Sequence, residues 1–103
     1  MPRERLPDRR ASENFNFTWN QIPFVATISR YPDGRLGEIF LASNKAGSQL
    51  DAAARDSAVG CSIALQYGVP IEVIRGALLR EANGAPCSPL AVALDEIAKQ
   101  KPR

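Results

Sequence analysis

The chain is 103 residues long, 45% apolar and almost neutral, with 13 Lys and Arg against 11 Asp and Glu, no histidine and two cysteines. That length supports one domain around one core. Without histidine, Ser-His and Cys-His catalysis are excluded; two cysteines cannot by themselves complete a four-ligand zinc shell, and a net charge of +2 is too small a field to identify nucleic acid or an anionic membrane as partner.

Residues 1–13 carry Arg3, Arg5, Arg9 and Arg10 against Glu4, Asp8 and Glu13, with Pro2 and Pro7 and little apolar beyond Leu6. They are expected as a flexible arm, either solvated or ordering on a partner. A single domain is expected over 14–99 and a frayed tail over 100–103. From Asn14 the pattern alternates: Phe15, Phe17 and Trp19 point one way with polar residues between them, which predicts a half-buried strand. A second strand follows over 24–31, with Phe24, Ala26 and Ile28 on one face and Val25, Thr27, Ser29 and Tyr31 on the other. The join Tyr31-Pro-Asp-Gly-Arg35 has proline and glycine where a hairpin with a glycine bulge needs them, leaving Arg35 exposed. Leu36 to Ser43 gives the third strand, with Ile39 and Leu41 opposite Glu38 and Phe40.

The longest element comes next. Leu50, Ala54, Ala58, Cys61, Leu65 and Gly68 recur three or four apart, a helical stripe with Ser48 placed to cap its start and Gly68 its end. Cys61 is expected in the core. The helix start Lys45-Ala-Gly-Ser48, with Arg55 one turn further on, offers free amides and positive charge to an anion or phosphate, although capping alone also explains Gly47 and Ser48. Pro70 opens a second helix over 71–79, with Val73, Ile74, Ala77 and Leu78 sharing a face. After a Pro- and Gly-containing loop, Ser88 and Pro89 begin a third helix, with Leu90, Leu94 and Ile97 inward.

The sum is an α+β domain: a three-stranded antiparallel sheet followed by three helices packed on one face. A sheet with open edges, together with Phe15, Phe17, Trp19, Tyr31 and Phe40, predicts a homodimer. No apolar run is long enough to cross a membrane and no secretory signal precedes the domain, so reduced thiols and a cytoplasmic location are expected. Candidate partner- or phosphate-binding residues are Arg3, Arg5, Arg9, Arg10, Lys45, Ser48 and Arg55. No catalytic residue, cofactor or metal ligand is expected. One alternative is a DNA-binding helix-turn-helix, for which Ala64, Gly68 and Ile74 stand at the usual small, turn and apolar positions. Its reading helix would carry Glu72, Arg75, Arg80 and Glu81, a nearly neutral set, with Arg75 the residue to test.

The ordered series Tyr31-Pro-Asp-Gly-Arg-Leu-Gly-Glu38, Lys45-Ala-Gly-Ser48 and Ser62-Ile-Ala-Leu-Gln-Tyr-Gly-Val-Pro70 resembles the TSCPD domain. That domain ends adenosylcobalamin-dependent ribonucleotide reductases and also occurs as small stand-alone proteins, whose leader Arg5-Leu-Pro-Asp-Arg-Arg10 resembles. The resemblance covers about residues 15–98. It departs at the naming signature, where this chain has Ala85-Pro-Cys-Ser-Pro89 and keeps only Cys87. The resemblance implies a non-catalytic accessory or binding module linked to deoxyribonucleotide synthesis through a protein or nucleic-acid partner. The reductases' catalytic barrel, radical cysteines and cobalamin site lie outside such a domain.

Overall fold

The computed structural model describes residues 2–45 and 47–100. Three strands, β1 (Ser12–Trp19), β2 (Ile22–Arg30) and β3 (Leu36–Ser43), form an antiparallel sheet in sequence order, followed by helices α1 (Gln49–Gln66), α2 (Ile71–Ala77) and α3 (Pro89–Lys99). The expected α+β order is the observed one. Asn20 and Gln21 both take positive φ, 50° and 65°, so β1 and β2 are joined by a two-residue turn whose twist matches the strands. At the second hairpin Gly34 has φ 95°, and the Tyr31 amide donates to the Arg35 carbonyl at 2.9 Å.

The inner sheet face carries Phe17, Phe24, Ala26, Ile28, Ile39 and Leu41, all buried, with the Phe17 and Phe24 rings stacked at 5.4 Å. Against them pack Ala54, Ala58, Cys61 and Leu65 of α1 and Leu90, Ala93, Leu94 and Ile97 of α3. Ser48 caps α1 by accepting from the Asp51 amide, and Ser88 caps α3 through Ala91. At the other end of α1 the Gly68 and Val69 amides return to the Leu65 and Ala64 carbonyls, with Gly68 left-handed at φ 95°.

Several expectations are corrected. Tyr31, assigned to the outer face, is buried: it lies just beyond β2, where the arm covers it, with Leu6 beside its ring and its hydroxyl donating to the Glu4 carbonyl, and at this end of the sheet the pairing skips Gly37 of β3, a bulge between Ser29–Glu38 and Arg30–Leu36. Ser29, assigned to the same outer face, is also buried. Helix α2 ends at Ala77 rather than Leu79, with Leu78 already extended, and its apolar residues do not share one buried face. Ile71, Ile74 and Leu78 pack against the core while Val73 is 59% exposed. Of the aromatic residues expected to need covering, Phe17 and Tyr31 are inside and Phe15 and Trp19 are packed against the core. Phe40 is the large exposed one among them.

The two sheet edges are treated differently. Alternate residues of β3 turn their backbone groups away from β2, and side chains of α1 meet them. Ser62 Oγ accepts from the Ile39 amide and donates to the Ile39 carbonyl, both at 2.9 Å. Gln66 Nε2 donates to the Gly37 carbonyl at 3.0 Å, and Asp51 Oδ1 accepts from the Ser43 amide at 2.9 Å. All three side chains are buried. The small residues Ala54, Ala58 and Cys61 between them let the helix lie this close. Helix α1 therefore covers the β3 edge at Gly37, Ile39 and Ser43.

Candidate functional site

The arm residues run across the end of the sheet. Arg3 donates to Gln66 Oε1 at 2.6 Å, the Glu4 amide donates to the Gln66 carbonyl at 2.7 Å, and the Tyr31 hydroxyl donates to the Glu4 carbonyl. Gln66 thereby joins the arm, the end of α1 and the β3 edge. Leu6 packs with Tyr31 over Gly37, where an added Cβ would lie 2.8 Å from Tyr31 and 2.9 Å from Leu6; this close approach explains glycine at the position. Arg10 meets Glu38 through two guanidinium nitrogens at 3.0 and 3.1 Å and donates to the Pro7 carbonyl. Arg5 and Arg9 are exposed.

Lys45, Ser48 and Arg55 gather at the start of α1, but the chain's own carboxylate sits among them. Asp51 accepts from the Ser43 amide and hydroxyl and the Gly47 amide, and Arg55 Nε donates to it at 2.8 Å. Those donors, led by the Ser43 amide and then Arg55, lower its pKa to about 2, so Asp51 is ionised at neutral pH. Ser48 Oγ is engaged by the Asp51 amide and Lys45 is exposed. Gln66, which holds Arg3, lies fifteen residues from Asp51 along one straight helix, about 22 Å at 1.5 Å per residue. The seven candidate residues thus fall into two groups at opposite ends of α1.

Arg75 is engaged as well. Its guanidinium meets Asp95 at 3.0 and 3.1 Å, and Arg80 meets the same carboxylate at 2.6 and 2.9 Å, which holds the Asp95 pKa below its ordinary value through Arg80 first and Arg75 second. This pairing ties α2 and its following turn to α3. A helix of seven residues with its one arginine clamped on a neighbour has little left with which to read a DNA groove. Cys87 is half-buried in the small hairpin where Arg80 pairs with Pro86. Cys61 lies in the core, and burial pushes its thiol up to about 11, as expected for a packing residue.

Sequence reasoning missed Asp51, Ser62, Gln66 and Asp95. The first three carried a readable signal: at helical spacings of 11 and 4 they fall within about 60° of one another, polar residues set along the border of an apolar stripe. Asp95 carried none, because its partners lie 15 and 20 residues away.

No family model matches the chain, and no solved structure matches it. Among curated proteins, a vitamin B12-dependent ribonucleotide reductase of Rhodopirellula baltica is 43% identical over 72 residues, 70% of this chain and 7% of that protein. Reductases of the same name from Streptantibioticus cattleyicolor and Bradyrhizobium diazoefficiens are 40% and 37% identical over 70 residues, 68% of this chain. The chain spans 12% and 6% of their lengths. Over about two-thirds of its length, this chain is a relative of a segment of the vitamin B12-dependent ribonucleotide reductases, the group to which its motifs point.

Proposed function

We propose that the protein is a non-catalytic accessory module, homodimeric, that acts on deoxyribonucleotide synthesis by binding a protein partner of the reductase type. The observation that carries this reading is the 37–43% identity over about 70 residues to a small segment of much longer reductases. The polar side chains support it. Asp51, Ser62 and Gln66 satisfy the β3 edge, while Arg75, Arg80 and Asp95 bind one another, so these groups stabilise the fold rather than converge on a substrate. Arg5 and Arg9 on the arm are exposed and would meet acidic groups of a partner, with the exposed Lys45 as a second positive point before α1.

The test uses a B12-dependent reductase from which the matching segment has been removed. Binding of this chain to that truncated enzyme, with a change in its turnover, is the expected result. Absence of binding at tens of micromolar refutes the partner, and ribonucleotide reduction by this chain alone with cobalamin and a thiol reductant refutes the non-catalytic reading. Binding that survives nuclease treatment separates a protein partner from nucleic acid. A nucleic-acid contact would instead weaken with salt by a slope of about −0.7 to −0.9 per phosphate neutralised.

A further inference from the structure

The homodimer in this reading needs a surface, and the two sheet edges differ in what they offer. Because Trp19 and Ile22 flank a two-residue turn, they exchange both backbone hydrogen bonds, and every second residue back along β1 also faces β2. Ser12, Asn14, Asn16 and Thr18 therefore direct their amides and carbonyls outward. All four residues are exposed, and among the described residues no hydrogen bond from a loop or side chain reaches this row, in contrast to the row of β3 that α1 meets. The edge is eight residues long and carries neither lysine nor proline, the usual protections against strand pairing.

We propose that β1 of one molecule pairs antiparallel with β1 of a second copy about a two-fold axis at Phe15, joining two three-stranded sheets into one of six strands. Antiparallel pairing of outward residues with outward residues, in the register that overlaps all of 12–18, sets Ser12 opposite Thr18 of the second copy and Asn14 opposite its Asn16. On the inner face the half-buried Phe15 meets its own symmetry mate. Glu13, held by Arg30 at 3.5 Å, stands opposite Phe17 of the second copy, so no charge opposes a like charge. The edge is thus complementary to itself in hydrogen bonding and charge. Seven residues at about 3.4 Å each give an interface about 24 Å long, a few hundred Å² per partner and less than the roughly 800 Å² of a standard stable interface. The dimer is accordingly a reversible one, whose population rises with protein concentration.

Sedimentation velocity over a concentration series, with hydrogen exchange at both ends of the series, tests this. The expected result is a twofold rise in mass with concentration, with protection gained in 12–18. Asn16→Pro removes an outward amide without touching the β1–β2 ladder and should leave a folded monomer. If that variant fails to fold, Asn14→Lys with Asn16→Lys keeps the backbone and sets like charges across the axis, with the same loss of dimer expected. Asn14→Lys with Asn16→Glu sets opposite charges across it and should restore the dimer. A wild-type monomer throughout overturns the homodimer altogether. A dimer that persists in both the proline and the double-lysine variants leaves the homodimer standing and overturns the edge pairing, placing the interface on the outer face around Val25 and Phe40. Failure of the lysine–glutamate variant to recover overturns the register.

Discussion

Replacing Ser62 with alanine isolates the contribution of the sealed β3 edge. The side chain is 6% exposed, its hydroxyl both accepts from and donates to Ile39, and Ile39 itself is fully buried. Loss of one oxygen therefore leaves a buried amide and a buried carbonyl without partners, while the alanine keeps helix α1 and removes almost no apolar contact. Each unpaired buried group costs about 1–3 kcal/mol, and with partial relaxation of the carbonyl the pair comes to about 2–4 kcal/mol. Against a total stability of about 5–15 kcal/mol for a native protein, that is a large fraction. Urea unfolding followed by circular dichroism measures the change, with an unaltered m-value showing that the denatured state is the same. Native-state hydrogen exchange supplies the local readout, since the Ile39 amide should lose protection more than its neighbours on β3. A midpoint displaced by less than about 0.5 kcal/mol would show that surface-like compensation occurs here and that α1 does not seal the edge through this hydroxyl.

Further predictions follow from the same contacts. Leu65→Ala removes a buried side chain from the inward stripe near the end of α1 and should cost about 2–5 kcal/mol by thermal or urea unfolding; an unchanged midpoint means the wrong face was assigned to the core. Gly37→Ala forces Leu6 and Tyr31 apart and should cost about 1–3 kcal/mol, with faster tryptic cleavage after Arg5 and Arg9 as the arm loosens. Asp51 has a folded pKa of about 2 against an ordinary 3.8, so its contribution is complete above pH 4 and is lost as pH falls through 2; Asp51→Asn should flatten that limb of an acid-unfolding curve. Arg35→Ala should move the unfolding midpoint little, because its ion pairs to Asp33 and Glu4 are exposed.

Local chemistry alone was enough for the order of elements. Two-residue alternation through Phe15, Phe17 and Trp19, the Pro-Asp-Gly turn, the capping serines 48 and 88 and the left-handed Gly68 each act within a few residues of themselves, and each appears where the sequence places it. The motif series was legible for the same reason, being contiguous in the chain. What only the tertiary structure decided are pairings across long separations: Ser62 with Ile39, Gln66 with both Gly37 and Arg3, and Arg75 and Arg80 with Asp95. Seven basic or capping residues that look like one candidate surface in the sequence are divided between the two ends of an 18-residue helix, and four of them are engaged within the fold. The physical reason is that a polar side chain takes whichever buried backbone group the packing leaves unpaired. Which group that is depends on how closely α1 approaches β3, a distance set by alanines and a cysteine whose local preference specifies only a helix.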